Sequence, residues 1–159
     1  MKLNEYKIPK PAFEKLFRAE VLLDDPWPLG EIGTGYSEIV AVRGGRFEGE
    51  INGQIMDFGG DWGLLHSGNV NVMDTRYLLE TDDGAYISIK CRGRLIMDMD
   101  TMQGGVEDGL PDPEYYYFRT TVELTTGDDK YKYLNDIVAF AVTIITEEGN
   151  VCLDVYELK

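Results

Sequence analysis

Hydrophobic and polar positions alternate with a period of two along most of this chain, in short runs rich in β-branched and aromatic residues. Eighteen glycines and six prolines punctuate the runs, which is the pattern of strands joined by turns. The alternation predicts strands over Phe13–Leu23, Ser37–Val42, Arg46–Asn52, Trp62–His66, Val70–Thr81, Ala85–Ile96, Tyr115–Thr125, Asp136–Thr146 and Val151–Leu158. Helix is nearly absent. The one candidate is a short helix over residues 128–135, where Asp128 or Asp129 caps a turn carrying Tyr131, Tyr133 and Leu134.

Strands that follow one another without intervening helices favour antiparallel meander connections. No linker or internal repeat divides the 159 residues. The prediction is therefore one all-β domain over residues 1–159, a single antiparallel up-and-down β-barrel of about eight or nine strands. Closure would remove the edges that otherwise invite aggregation. The run Ile137–Ile145 is apolar on both parities apart from Thr143. Such a strand is either central or covered on both faces, and a second subunit in a homo-oligomer is one way to cover it.

The hairpin around Asp82-Asp83-Gly84 admits two registers with opposite consequences. A two-residue turn at Asp83-Gly84 sets Arg76 opposite Cys91 and Asp74 opposite Gly93, and places both charges on the apolar face with Leu78, Ile87 and Ile89. Burial there costs several kcal/mol per charge unless pairing offsets it, so fixed charges at these positions would be candidates for function. A three-residue loop with Gly84 left-handed shifts the pairing by one. Asp74 then faces Arg92, Arg76 faces Lys90, and Tyr77, Leu79, Ile87, Ile89 and Cys91 make the apolar face. Cross-strand energies of under about 1 kcal/mol do not choose between the two.

Composition narrows the function classes. A net charge of −14 repels phosphate backbones and anionic membranes, so neither nucleic acid nor a membrane surface is an expected partner. Residues 1–17 contain no apolar stretch of signal-peptide length, and no run of about eighteen apolar residues occurs, so a cytoplasmic location is expected. Cys91 and Cys152 stand alone, without metal or redox spacing, and are expected as reduced, packed thiols.

His66 is the only histidine, which excludes a histidine-rich metal centre, and no serine lies in a nucleophile-elbow sequence. Gly33-Thr34-Gly35 reads as a turn, since no helix or further glycine follows at nucleotide-binding spacing. The segment from Asp98 begins like a calcium loop but carries Met102, Gln103 and Gly109 where ligand, glycine and glutamate are required. No metal or cofactor is expected. The long Met97–Glu114 segment, with Met97, Met99 and Met102, reads either as an adaptable lid over a barrel mouth or as a surface insertion.

Two further segments carry candidate chemistry. In Gly59-Gly60-Asp61-Trp62 an acid and a large aromatic follow a flexible turn, either as a core anchor or as an acid beside a stacking surface. In the run Tyr115–Thr120, alternation sends Tyr115, Tyr117 and Arg119 to one face and Tyr116 and Phe118 to the other. Inside a cavity Tyr117 and Arg119 would form a flat wall and an anion holder; outside they would be a surface ladder.

These segments, in this order, resemble a small bacterial and fungal β-barrel family, domain of unknown function 3237. The resemblance runs through Gly44-Gly45-Arg46-Phe47-Glu48-Gly49, Gly60-Asp61-Trp62, Asp74-Thr75-Arg76-Tyr77, Thr81-Asp82-Asp83-Gly84, Tyr117-Phe118-Arg119-Thr120, Leu134-Asn135 and Asp154-Val155-Tyr156-Glu157. It implies an antiparallel lipocalin-like barrel without a settled activity. Tyr133 stands where the family usually has tryptophan, and the Met97–Glu114 segment is longer than the pattern. Because Asp74 and Arg76 fall among the motif residues, the resemblance favours the register that turns them inward.

The functional expectation is a barrel that binds a small, partly apolar or aromatic, anionic or carbonyl-bearing molecule in its lumen. Arg76 and Arg119 would hold its oxygen, Asp61 or Asp74 would exchange a proton, and Trp62 and Tyr117 would wall the ring. Cofactor-independent isomerisation or cyclisation is chemistry that such a site could perform. The competing expectation is a structural or interaction protein: a barrel filled by side chains that acts through homo-oligomerisation.

Overall fold

The computed structural model describes residues 1–66, 68–97 and 112–159. Nine antiparallel strands follow in chain order: β1 (Phe13–Leu23), β2 (Trp27–Glu31), β3 (Tyr36–Gly49), β4 (Gly53–Leu65), β5 (Val70–Thr81), β6 (Tyr86–Ile96), β7 (Tyr117–Thr125), β8 (Ala139–Ile145) and β9 (Val151–Leu158). From β3 to β9 each strand pairs with the next. β1 pairs with β9 on one side and with β3 on the other, which closes eight strands into a barrel. β2 is the extra strand, attached only to β3.

Alternation is visible strand by strand. In β1, Phe17, Ala19 and Val21 are buried and alternate with Arg18, Glu20 and Leu22, broken only at Leu16, which is also buried beside an irregularity in the pairing, and in β7 Phe118, Thr120, Val122 and Leu124 repeat the pattern. Three strands keep the bounds their sequence pattern implies: β1, β5 and β9. β2 has no such pattern because both its faces are largely exposed. Its Pro28, which cannot donate to a ladder, is tolerated at this outer position.

Residues 36–65 differ most from expectation. The predicted strands over 37–42 and 46–52 are one strand, and β4 runs through Gly59-Gly60, which reads as a turn in sequence. Both strands bend sharply where the register shifts between Ala41 and Gly45 and between Ile55 and Gly59. Gly45 has φ +132°, and a Cβ there would stand 2.0 Å from the carbonyl oxygen of Glu20. Gly59 has φ +110°, and its Cβ would stand 2.1 Å from that of Arg76. Only glycine allows the neighbouring strands to approach so closely at these corners.

The predicted helix over 128–135 is instead a turn followed by one 3₁₀ turn, Lys132–Asp136. Asp128 does not cap it: the N-cap position is Tyr131, without a side-chain bond, and Asp128 instead braces the preceding turn by accepting from the backbone N–H of Lys130 at 2.9 Å. Tyr131 and Leu134 from this segment close one end of the barrel over a core that includes Phe17, Phe47, Leu79, Ile87 and Ile89. Tyr131 Oη also donates to Asp83 in the β5–β6 turn at 2.9 Å, beside an ion pair from Lys130 to the same carboxylate. Near the other end Leu95, Met97, Tyr116 and Phe118 form a smaller cluster. The interior between the two clusters is not filled.

The β5–β6 hairpin adopts the three-residue loop. Thr81 and Ala85 flank the turn, Gly84 is left-handed at φ +89°, Asp74 pairs with Arg92 and Arg76 with Lys90. The register favoured by the family resemblance is therefore corrected. The like-charged pairing of Arg76 with Lys90 is relieved by Asp74, which lies 3.4 Å from Arg92 Nε and 3.9 Å from Arg76 Nε. In return Tyr77, Leu79, Ile87, Ile89 and Cys91 are all buried, and desolvating five large apolar or weakly polar groups outweighs surface charge pairing.

Candidate functional site in the barrel lumen

The unfilled part of the interior is a cavity of about 130 Å³. An apolar cavity of about 150 Å³ engineered into another protein accepts benzene, which sets the scale of ligand. One wall is apolar, with Val21 and Leu153 from β1 and β9 and Phe118 from β7. The other is polar, with Glu38 from β3, Asp61 from β4, and Asn71, Thr75 and Tyr77 from β5. A second space of similar size lies toward the β4–β5 turn and shares Glu38 and Asn71.

Asp61 is the centre of the polar wall. It enters the lumen because the Gly59-Gly60 corner ends with odd-numbered β4 residues pointing inward, and it is 7% exposed. Its Oδ1 accepts from the Asp74 backbone N–H at 3.1 Å and from Thr75 Oγ1 at 2.7 Å. These bonds favour the carboxylate, but desolvation in an apolar cavity acts more strongly in the other direction. Burial first, then the nearby charges of Asp74 and Glu38, push its pKa up to about 6.

Around it stand polar atoms that folding has buried without partners. Among the described residues, Asn71 Oδ1, Tyr77 Oη and Thr120 Oγ1 are buried with no hydrogen bond of good geometry, and all three residues line the cavity. Such atoms normally find a partner, so three around one cavity mark a place where a ligand or water supplies it. Cys91, their neighbour, is an inert thiol: burial pushes it up to about 12. Cys152 lies on the opposite parity of β9, half-buried, and both thiols are free.

The six candidate residues read from sequence are divided by the barrel wall. Asp61 is in the lumen. Asp74 and Arg76 are on the outer face, with side chains 36% and 58% exposed. Trp62 points outward beside Asp61 and is 49% exposed. Tyr117 and Arg119 are also outside, the guanidinium lying 5.3 Å from the tyrosine ring centroid, in a surface groove with Arg92 and Arg94. The arginines and aromatics that were to hold a lumenal ligand therefore do not meet Asp61.

Glu38, Asn71, Thr75, Tyr77 and Thr120 were missed. The signal for most of them was present in the three-residue-loop register, because alternation from Tyr77 carries Thr75 and Asn71 inward. Glu38 had no such signal. Among the described residues there is no cluster of three metal-ligating side chains, and no helix is long and apolar enough to cross a membrane. Of the Met97–Glu114 segment, residues 98–111 lie outside the described residues, so the reading of it as a lid does too.

The chain matches the family model described as protein of unknown function (DUF3237) over residues 11–158. It is 30% identical over 145 residues to a UPF0311 protein of Rhodopseudomonas palustris, covering 90% of this chain and 94% of the relative. Its fold superposes with a TM-score of 0.84 on a β-barrel-like protein of Acinetobacter baumannii, 35% identical, covering 97% and 99% of the two chains. A structure described as an enzyme from Penicillium herquei shares the fold at a TM-score of 0.73 and 17% identity, over 97% and 98%.

Proposed function

From the premise that this chain belongs to the DUF3237 family, we propose that its barrel takes up a small, partly apolar or aromatic molecule in the lumen and that Asp61 exchanges a proton with it. The observation that carries this reading is Asp61 itself: a carboxyl in an apolar cavity, poised near neutrality and surrounded by unpartnered polar atoms. A group whose pKa lies near the working pH can serve as base and as acid in turn. Removing a proton at one ligand atom and returning it at another isomerises or cyclises the ligand and consumes nothing, so no cofactor is needed. Tyr77 and Thr120 carry hydroxyls that can donate to a developing oxyanion.

The described lining contains no lysine, arginine or histidine. The ligand we propose is therefore not an anion, since a carboxylate beside Asp61 and Glu38 would meet like charge in a low dielectric.

Deuterium exchange into a simple enolisable ketone such as cyclohexanone tests the proton-transfer step. Asp61→Asn should slow the protein-catalysed exchange by about 10²-fold or more. Leu153→Trp, which fills the lumen, should abolish both the exchange and ligand-induced NMR shifts at Val40, Met73 and Phe118. Exchange that survives Asp61→Asn removes the proton-transfer role, and shifts confined to the outer groove of Tyr117 and Arg119 remove the lumen as the site.

Homo-oligomerisation has one specific observation in its favour. On the outer face of the barrel Phe140 stacks on Tyr156 at 5.5 Å and meets Phe13 edge-to-face at 5.1 Å, while Val138 beside it is 66% exposed. Native mass spectrometry of the protein and of Phe140→Asp tests it; a monomer in both removes this reading.

A further inference from the structure

Resting on the reading of the lumen as a ligand site, we infer that the ligand enters with an ammonium head group, seated in a notch over Gly63 between Asp61 and Asn71. Gly63 lines the second space, toward the β4–β5 turn, which shares Glu38 and Asn71 with the main cavity. The point where its Cβ would stand is 3.4 Å from Asp61 Oδ2, 3.5 Å from Asn71 Oδ1 and 3.9 Å from the Glu38 carbonyl oxygen. No ligand atom can stand at that point itself, about 1.5 Å from the Gly63 Cα; an ammonium would sit farther out, between the Asp61 and Asn71 oxygens.

The state of these oxygens decides what the spot accepts. Among the described residues Asp61 engages its neighbours through Oδ1 alone. Asn71 Oδ1 is buried and unpartnered among the described residues. With Asp61 ionised all three atoms accept, whereas a primary ammonium presents three donors and no acceptor. A hydroxyl brings one donor and would leave either Asp61 Oδ2 or Asn71 Oδ1 unsatisfied. A carboxylate brings none, and it would face the charges of Asp61 and Glu38.

The rest of the lumen fits the body of such a ligand. The main cavity adjoins the notch at Glu38 and Asn71 and offers Met73, Phe118 and Leu153, an apolar wall matched to one ring or a short alkyl chain. Tyr77 Oη and Thr120 Oγ1, both on residues less than a tenth exposed, have only the weakly bonding Cys91 thiol beside them among the described residues and would hydrogen-bond a polar substituent on that body. The class proposed is a small primary amine on an apolar or aromatic frame.

Gly63 provides a clean test. Its backbone is not in the left-handed region, and an added methyl would meet its neighbours at ordinary contact distances, so Gly63→Ala should fold and keep its melting temperature. Benzylamine, toluene and benzoate, matched in shape, are titrated by calorimetry into the wild-type protein and the variant. Benzylamine should bind more tightly than toluene by about tenfold or more, and benzoate should not bind. Gly63→Ala should weaken benzylamine by about tenfold or more and leave toluene unchanged. If toluene binds but benzylamine is no tighter, if benzoate is preferred, or if Gly63→Ala leaves benzylamine unaffected, the amine assignment is overturned while the lumen reading stands. If none of the three binds the wild-type protein, the lumen reading fails and the assignment falls with it.

Discussion

Asp61 is where residue-scale physics is most exposed. Its carboxyl is desolvated by the cavity and only partly compensated by the Asp74 N–H and the Thr75 hydroxyl, so its pKa rises to about 6 from an ordinary value near 3.8. A carboxyl raised in this way holds its proton more tightly in the folded protein than in the unfolded chain. Its contribution to stability is therefore fully present below about pH 4 and is lost as pH rises through about 6. The penalty at neutral pH is on the order of 3 kcal/mol. Asp61→Asn retains the Oδ1 acceptor, removes the charge and turns an amide donor toward Asn71. It should be more stable than the wild-type protein at pH 8, by up to about 3 kcal/mol, with the gap closing toward pH 4. Urea unfolding at the two pH values checks this, and a gap that does not depend on pH would show that Asp61 is not strained by its charge.

Elements differ in how they were specified. The hairpin of β5 and β6 chose its register because one arrangement buries Tyr77, Leu79, Ile87, Ile89 and Cys91, while the other would have buried Asp74 and Arg76. Local pair energies could not show this, since the apolar face acquires its value only when the barrel closes over it. The bends in β3 and β4 are elements of a different kind, made by glycine where strands approach too closely for a Cβ. Gly59→Ala would place a methyl against the Arg76 carbonyl in a left-handed conformation. It should destabilise the protein by about 3 kcal/mol or more, read as a lower urea midpoint. The same corner aims Asp61, so the variant should also lose lumenal binding. A variant as stable as the parent would mean that the corner relaxes freely.

On the scale of the whole molecule, the barrel is packed at one end and open within. Leu134, 1% exposed, and Tyr131 seal the packed end, and Asp83 ties that seal to the β5–β6 turn through Tyr131, Thr81 and Lys130. Those partners hold the Asp83 carboxyl well below the usual range, so the tie is intact at neutral pH and weakens only in strong acid. Leu134→Ala should cost about 2 to 5 kcal/mol of stability. It should leave ligand affinity in the lumen unchanged, because the seal and the cavity lie on opposite sides of the core. Denaturant melts and toluene titrations on the same variant separate the two; loss of binding by a folded Leu134→Ala protein would show that seal and site are coupled.

The all-β class and most of the strands were legible in the chain, because alternation and turn residues are local properties repeated many times over; β2, and the joining of two predicted runs into β3, were not. Asp61 was legible as an acid next to an aromatic, but not as the lumenal partner of Glu38, Asn71 and Tyr77. Asp74, Arg76, Trp62, Tyr117 and Arg119 carried the right chemistry on the wrong side of the wall. The side a residue faces depends on a one-residue choice of register and on where a strand bends. Both are decided by burial across strands far apart in sequence, and so only the closed barrel could decide them.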